Sequence, residues 1–218
     1  MSAALDRVAL EAAELAPYPG IALADITLVA SAERAAEAEA ALLAADAIGF
    51  DTESKPTFQK GEVSTGPHLV QLATDRHAWL FPTVLPAGLA ALRKVLESPR
   101  VKKVGFGLGN DRSALQSRFG IALADVFDLG EALRGPGHRG TVGAKLAVAH
   151  FFGQRLQKSK KTGTSNWANA RLSERQMLYA ANDAHVALRI YREWLRQRGQ
   201  ITPATPATPA QPAPPRDD

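Results

Sequence analysis

Residues 47–53 read Ala-Ile-Gly-Phe-Asp-Thr-Glu, an apolar run that ends in two carboxylates. A short apolar run bounded by polar segments is typical of a buried strand. Strand alternation then places Asp51 and Glu53 on the same face, with Cα atoms roughly 7 Å apart. Acidic residues at a strand end are usually solvated, so this pair gains functional meaning only from what the rest of the chain brings to it.

The patterns on either side of this run predict a mixed sheet. The segments 26–29, 68–74 and 77–81 are β-like, and Asp75-Arg76 between the last two is typical of a tight hairpin. From residue 86 onward, helical and strand patterns alternate. Further strands are predicted at 101–106 and 124–129, and helices at 32–45, 86–96, 110–119, 141–152 and 174–195, with Ser31 and Ser173 as N-caps. We therefore predict an α/β fold, with a mixed sheet of five or six strands flanked by helices.

Composition divides the chain into three parts. Residues 1–20 form an alanine-rich N-terminal extension, which we predict to be a loosely attached helix ending at Pro17. Residues 21–198 are predicted to form one folded domain, which suits a chain of 218 residues with 45% hydrophobic content. Residues 199–218 repeat Thr-Pro-Ala and are predicted to be a disordered tail, because they offer almost nothing large to bury.

Charge and cysteine content limit the functional classes. The chain has no cysteine, so disulfides and thiolate metal sites are excluded. It shows no signal peptide and no run of eighteen apolar residues, so we expect a cytoplasmic protein with no membrane partner. Its net charge of +4 is compatible with a polyanionic partner such as nucleic acid, but does not by itself indicate one.

Two further groups of candidate site residues lie on predicted helices. Tyr179 and Asp183 are four residues apart, which places them on one helical face, about 6 Å apart along the axis. Asp111 stands near a helix start, where Gly107 and Gly109 allow the backbone to turn tightly. Taken alone, Asp111 would complement a helix dipole and Tyr179 would be a core residue.

Together, Asp51, Glu53, Asp111 and Asp183 favour a metal site. Carboxylates brought close to one another repel and raise each other's pKa, so an empty cluster is costly. Divalent cations remove that cost, and Mg²⁺ or Mn²⁺ suits oxygen ligands better than Zn²⁺ does. Two such ions about 4 Å apart can activate water and stabilise the leaving oxygen of a phosphoryl displacement. This pattern predicts a two-metal site that cleaves phosphodiester bonds.

Three motifs carry a family resemblance. They are Ile48-Gly-Phe-Asp-Thr-Glu53, Lys103-Val-Gly-Phe-Gly-x-x-x-Asp111 and Tyr179-Ala-Ala-x-Asp-Ala184. This set resembles the exonuclease motifs of the DEDD superfamily, in particular the ribonuclease D branch that includes the exonuclease domain of the Werner syndrome helicase. The resemblance runs from about residue 26 to 195 and extends to the segments 69–73 and 165–167. It implies a ribonuclease-H-like fold and 3′-5′ exonuclease activity.

The resemblance also implies roles for individual residues. Asp51 would bridge the two metals, and Tyr179 would hydrogen-bond the attacking water. The sister branch has a histidine where this chain has Leu178, so the tyrosine branch (DEDDy) is implied, and His185 is not the missing base. One departure is Arg171, which stands where family members often have proline. The implied metal ligands are Asp51, Glu53, Asp111 and Asp183.

Contacts to the substrate are predicted at the edges of these motifs. Arg155, Lys158, Lys160 and Lys161 place four positive charges within seven positions, either as a solvated loop or as phosphate contacts. Phe106 and Trp167 are candidates for stacking on bases, although core packing is the favoured interpretation of each residue. Thr52 and Arg112, each next to a motif carboxylate, complete the predicted substrate contacts.

The sequence thus predicts a hydrolase that removes nucleotides from the 3′ end of RNA and releases 5′-monophosphates. RNA is favoured because the compact single-domain form resembles ribonuclease D. Two alternatives stay open. One is a DNA 3′-5′ exonuclease in repair, and the other is a catalytically silent module that binds nucleic acid. The presence of all four carboxylates and the tyrosine disfavours the silent module.

Overall fold

The computed structural model describes residues 14–57, 61–134, 140–169 and 171–200. Six strands form one sheet in the order β1-β4-β3-β2-β5-β6. They are β1 Ile26–Leu28, β2 Ala47–Glu53, β3 Leu69–Ala73, β4 Ala78–Pro82, β5 Lys102–Gly105 and β6 Val126–Asp128. Strand β2 lies inside the sheet, antiparallel to β3 and parallel to β5. The predicted mixed α/β sheet is confirmed.

Strand pairing follows from the local sequence. Strands β2, β3 and β4 form an antiparallel meander, and Thr74 N donates to His77 O at 2.9 Å to close the predicted Asp75-Arg76 turn. Strands β1 and β6 pair in parallel with β4 and β5. In this register Asp51 lies opposite Gln71.

Seven α-helices cover the two faces of the sheet within the described residues. They are α1 Ala32–Leu43, α2 Leu89–Glu97, α3 Gly109–Phe119, α4 Leu129–Ala132, α5 Ala144–Phe152, α6 Lys160–Gly163 and α7 Glu174–Gln197. Both predicted N-caps are confirmed, since Ser31 accepts from Arg34 N, and Ser173 forms a capping box with Gln176. None of the described helices has the length and apolar character needed to cross a membrane.

Two helices begin later than predicted, for local reasons. The helix predicted at 141–152 starts at Ala144, because Val142 N donates instead to Gly130 O and Gly143 is extended. The helix predicted at 86–96 opens with a 3₁₀ turn at Pro86–Gly88 before α2 begins. Proline at the first position favours such a start, because it has no amide hydrogen to donate.

Helix α7 packs against β2 at a distance that only glycine permits. A Cβ at Gly49 would overlap the carbonyl oxygen of Ala184 on α7. Helices α1 and α2 bury their apolar residues in a separate cluster that includes Ile48 and Phe50. The alternation of β2 thus directs Ile48 and Phe50 toward one core, while Gly49, Asp51 and Glu53 face α7.

The structure describes only part of the predicted N-terminal extension and of the predicted C-terminal tail. Residues 1–13 and 201–218 lie outside the described residues, so most of the predicted extension and tail stay predictions. Residues 14–20 are described and contain no helix, so the helix predicted to end at Pro17 is wrong there. Instead, Pro17 forms a parallel bridge with Arg155.

Candidate active site

Three of the predicted carboxylates meet where β2 and α7 are in contact. Asp51, Glu53 and Asp183 offer ligand oxygens that all lie within 4.8 Å of one another. Asp51 and Glu53 face the same side of β2, and Asp183 is a buried residue of α7 next to Ala184. The absence of a side chain at Gly49 allows α7 to bring Asp183 this close to the strand.

Asp111 joins this group through a hydrogen bond. Its carboxylate lies in the first turn of α3 and accepts a hydrogen bond from the hydroxyl of Thr52. Thr52 stands between Asp51 and Glu53 on β2, so the hydroxyl connects the strand motif to the helix motif. The predicted substrate contact through Thr52 stays a prediction, since its hydroxyl can still accept a hydrogen bond while it donates to Asp111. Asp111 is not one of the three residues whose oxygens lie within 4.8 Å.

Asp128, at the end of β6, fixes the loop that precedes α3. Its carboxylate accepts hydrogen bonds from Gly107 N at 3.0 Å, Leu108 N at 2.8 Å and Gly130 N at 2.8 Å. Gly107 adopts a φ of +68°, which favours glycine. Sequence reasoning missed this residue. The signal was an aspartate at the end of a short strand just before a helix, where it can be an N-cap.

Burial is the main cause that disfavours ionisation of the clustered carboxylates, and repulsion between them adds to it. Burial raises the pKa of Asp51 well above its usual range, and Asp183 and Asp111 add to the effect. Burial, followed by the charges of Asp51 and Asp183, raises the pKa of Glu53 to about 9. Burial also raises the pKa of Asp111, although the hydrogen bond from Thr52 opposes it. Without a cation, the cluster therefore resists full ionisation, as expected for carboxylates that share a cation.

Lys158 supplies a positive charge inside the cluster. Its Nζ lies 2.8 Å from Asp183 Oδ2 and 5.4 Å from the centre of the Tyr179 ring. Burial lowers the pKa of Lys158, but the charge of Asp183, the hydrogen bond to it and the nearby Tyr179 and Asp51 together outweigh burial, so the pKa is raised. Sequence reasoning placed this residue in a basic run that either is solvated or contacts phosphate. In the structure, it is partly buried and paired with a predicted metal ligand.

The donor set fits a divalent cation. Asp183 Oδ2 is buried, and the Lys158 ammonium lies 2.8 Å from it. Buried carboxylates are costly unless cations face them, and one ammonium does not balance the charges of Asp51, Glu53 and Asp183 together. The candidate ligand atoms are all oxygens. Magnesium and manganese prefer oxygen ligands, whereas zinc also binds nitrogen and sulfur.

Tyr179 is held rigidly at the edge of the cluster. Its ring lies 5.9 Å from the ring of Trp167, whose indole N–H donates to Gly163 O at 3.1 Å. A Cβ at Gly163 would lie 2.7 Å from the Tyr179 hydroxyl. Burial, followed by the charge of Asp183, raises the pKa of Tyr179 to about 12. The phenol therefore keeps its proton at neutral pH.

The remaining residues that are predicted to contact the substrate differ in how exposed they are. Trp167 is 1% exposed and packs in the core, so the prediction that it stacks on bases is wrong. Phe106 is partly buried against the core, whereas Arg112 and Lys161 are exposed, and these three stay predictions. His185 faces away from the cluster, since its Nε2 lies 3.2 Å from Asp75 O. It takes no part in the carboxylate group, as predicted.

The arrangement matches a known family. The profile of the 3′-5′ exonuclease family matches residues 26–197, which includes all four motif carboxylates and Tyr179. This chain belongs to the 3′-5′ exonuclease family. Exonucleases of this family use divalent metals, and the cluster of Asp51, Glu53 and Asp183 is placed to hold them.

Individual relatives of this exonuclease-family chain agree with that assignment. It is 33% identical over 156 residues to the bifunctional 3′-5′ exonuclease/ATP-dependent helicase WRN of Mus musculus, covering 68% of this chain and 11% of that protein. The crystal structure of the Aedes aegypti Nibbler EXO domain aligns with a TM-score of 0.68 and 27% identity. That alignment covers 82% of this chain and 91% of the domain.

A further structural neighbour shares the fold. The Escherichia coli RNase D, an exoribonuclease involved in structured RNA processing, aligns with a TM-score of 0.67 and 22% identity, covering 80% of this chain and 45% of that one. This chain spans 11% and 51% of the length of the first two curated relatives, from Mus musculus and Arabidopsis thaliana. The likeness therefore concerns the exonuclease domain of these longer proteins.

Proposed function

We propose that this chain is a metal-dependent 3′-5′ exonuclease that hydrolyses RNA from its 3′ end and releases 5′-monophosphates. The observation that carries the proposal is the convergence of Asp51, Glu53 and Asp183 oxygens within 4.8 Å, inside a domain that belongs to the exonuclease family. Acidic residues at a strand end are usually solvated. Here Asp183 is buried, Asp51 and Glu53 are partly buried, and the three carboxylates face one another.

The residues that would hold the cations are Asp51, Glu53, Asp111 and Asp183. We propose that these carboxylates would hold two divalent cations, Mg²⁺ or Mn²⁺. When bound, such ions lower the pKa of water and stabilise the charge that develops on the leaving oxygen. Thr52 would keep Asp111 oriented, because its hydroxyl donates to that carboxylate.

Tyr179 would orient the attacking water without taking its proton. Because burial raises its pKa to about 12, the phenol is neutral at physiological pH and exchanges hydrogen bonds as a protonated group. Its ring has little freedom to move, since Trp167 and Gly163 pack beside it. A fixed hydrogen-bonding partner lowers the entropic cost of aligning water with the scissile phosphate.

The activity and its direction can be tested with end-labelled strands. In Mg²⁺ or Mn²⁺, a 5′-labelled RNA should shorten stepwise to a ladder, and a 3′-labelled RNA should lose its label as a mononucleotide in the first turnover. Asp51→Ala and Asp183→Ala should each reduce the rate at least about 100-fold. The matched control Asp25→Asn, at an exposed carboxylate away from the cluster, should retain the rate. Undiminished laddering in either alanine variant would refute the assigned site.

RNA as the substrate is supported by the fold shared with an exoribonuclease, RNase D of Escherichia coli. Matched RNA and DNA oligonucleotides, including strands with a single 2′-OH changed at the scissile nucleotide, would measure the preference directly. Faster hydrolysis of RNA is expected. Faster hydrolysis of DNA would show that DNA, not RNA, is the preferred substrate. Binding without any hydrolysis in Mn²⁺ would instead indicate a silent binding module.

A further inference from the structure

A groove of about 1220 Å³ opens beside the carboxylate cluster. Asp183, Tyr179 and Lys158 of the cluster line it, and so do Lys145 of α5 and Arg175 of α7. The volume exceeds the range of about 300–1,000 Å³ that is typical of pockets for one small ligand. A groove of this size next to an exonuclease site is better suited to a stretch of polymer than to a single released nucleotide.

One wall of the groove is built by residues that precede the family domain. The segment 16–21, called the strap below, lies before residue 26, where the family profile begins. Its backbone pairs with Arg155 on both sides, because Arg155 N donates to Ala16 O at 2.8 Å and Tyr18 N donates to Arg155 O at 2.9 Å. The strap is therefore a fixed part of the folded domain.

The strap is also fastened to the helix that carries Asp183. Ile21 N donates to Asn182 Oδ1 at 2.9 Å, and Asn182 Nδ2 donates to Leu178 O at 2.8 Å. Gly20 has a φ of +68° and turns closely over the Asn182 side chain, where a Cβ would overlap the amide. Because Asn182 directly precedes Asp183, the strap and the cluster are positioned by the same turn of α7.

The groove carries positive charge that the protein itself does not neutralise. Lys145, Arg155 and Arg175 line it and form no ion pair with any other residue in the part of the chain that the structure describes. The acidic side chains that line it are Glu174 and Asp183, and Asp183 is already paired with Lys158. Unpaired cations along a groove attract the phosphates of a nucleic-acid backbone.

Tyr18 adds a flat aromatic surface to the same wall. Its ring stacks on Phe152 at a centroid distance of 5.7 Å with an interplanar angle of 26°, which fixes its orientation. The Tyr18 side chain is only partly buried and lines the groove. Aromatic side chains beside a basic groove are the usual means by which proteins hold unpaired bases.

We propose that this groove binds the single-stranded stretch of nucleic acid that leads to the scissile phosphate. Lys145 and Arg155 contact phosphates several nucleotides from the cluster, and Tyr18 stacks on one unpaired base. A duplex keeps its bases paired and offers none to Tyr18, so the groove selects single-stranded 3′ ends. The inference rests on the proposed function only in taking this strand to be the substrate of the carboxylate site.

The test measures affinity as a function of strand length. Full-length protein in EDTA is titrated by fluorescence anisotropy with 5′-fluorescein strands of two to twelve nucleotides. Lys145→Gln combined with Arg155→Gln should weaken binding of an octanucleotide about 10-fold and of a dinucleotide much less. The slope of log affinity against log salt should become shallower by about 0.7 for each lost phosphate contact. Tyr18→Leu should weaken binding of the long strands at least about 5-fold.

Matched controls separate the groove from general charge and from misfolding. Arg76→Gln combined with Arg100→Gln removes two exposed charges outside the groove and should leave the length dependence as in the parent protein. Each variant is compared with the parent by circular dichroism and melting temperature. Equal losses for short and long strands, or no loss for either, would overturn the proposal.

The outcome is distinguishable from a failure of the proposed function. Binding in EDTA involves no turnover, so the length dependence can be present even if no strand is hydrolysed. In that case, the proposed role of the groove would be supported and the exonuclease proposal would be refuted. Conversely, the groove variants could produce a normal ladder from long strands with the KM of the parent protein. That result would leave the exonuclease proposal intact and refute the proposed role of the groove.

Discussion

Gly163 shows how a residue without a side chain can define a catalytic geometry. The Tyr179 hydroxyl fills the space where a Cβ of residue 163 would be, at 2.7 Å, and Trp167 prevents the ring from moving away. Neither the spacing nor the composition around Gly163 indicates this. The contact depends on how α6 is placed against α7, which the sequence pattern does not specify.

We predict that Gly163→Ala displaces the Tyr179 hydroxyl and lowers kcat about 10-fold with little change in KM, because substrate binding does not require that hydroxyl. Steady-state kinetics on a short RNA provides the measurement, with Tyr179→Phe as the comparison. The two changes should not be additive, because both act on the same hydroxyl. Additive losses would show that Gly163 acts in some other way.

Glu53 gives a pH dependence of stability with a definite sign. Its pKa is about 9 in the folded protein and 4.5 when unperturbed, so the folded state binds more protons than the unfolded state between these values. Stability contributed by this group is therefore complete below about pH 4.5 and is lost as the pH rises through 9. In EDTA, we expect the parent to lose a few degrees of melting temperature relative to Glu53→Gln between pH 6 and 9.

The comparison with Glu53→Gln removes other titrations from this measurement. Burial lowers the pKa of Lys103 to about 8, which acts in the opposite direction above that pH, and it is common to both proteins. Adding Mn²⁺ should reduce the difference, because a cation favours the ionised carboxylate. A melting temperature of the parent that rises relative to Glu53→Gln toward pH 9 would contradict the assigned environment of Glu53.

At the level of elements, the contact between β2 and α7 determines both stability and the site. Gly49 allows the strand backbone to touch the Ala184 carbonyl. We predict that Gly49→Ala destabilises the protein by at least about 3 kcal/mol, because the overlap is with backbone and cannot be relieved by a side-chain rotation. Urea denaturation measures this. Gly143→Ala, where a Cβ meets open space, should change stability by no more than about 1 kcal/mol.

The end of β6 positions the start of α3. Because Asp128 accepts three backbone N–H groups, Asp128→Ala should cost about 2 kcal/mol of stability and loosen the loop before Asp111. Activity should fall about 10-fold or more through Asp111, and Asp128→Asn should recover part of it. An alanine variant with parental kinetics would show that Asp111 does not depend on this loop.

The strands and long helices could be predicted from local patterns, because apolar periodicity, capping boxes and glycine C-caps act over a few residues. The convergence of Asp51, Glu53 and Asp183 could be predicted from the three motifs taken together, but not from any one motif alone. The position of Lys158 could not be predicted. Its approach to Asp183 depends on how the loop before α6 returns to α7, which is a long-range property of the fold.

At the scale of the whole molecule, the position of the strap is also a feature that the local sequence does not predict. Residues 14–20 end the alanine-rich segment that the sequence predicts to be a loosely attached extension, and their backbone pairing with Arg155 has no signature in the local sequence. Trp167, for which the sequence favours core packing over base stacking, lies in the core. Tertiary packing therefore overrides the local signal for the strap but not for Trp167.

The central claim is that Asp51, Glu53, Asp111 and Asp183 form a metal-dependent site that acts at 3′ ends. The most direct test incubates EDTA-treated protein with a 5′-labelled RNA while Mn²⁺ is added back in steps. We predict that the parent produces no ladder without metal, regains stepwise shortening as Mn²⁺ rises, and that Asp183→Asn stays inactive at every concentration. A full ladder in EDTA, or a parental rate from Asp183→Asn, would contradict the account.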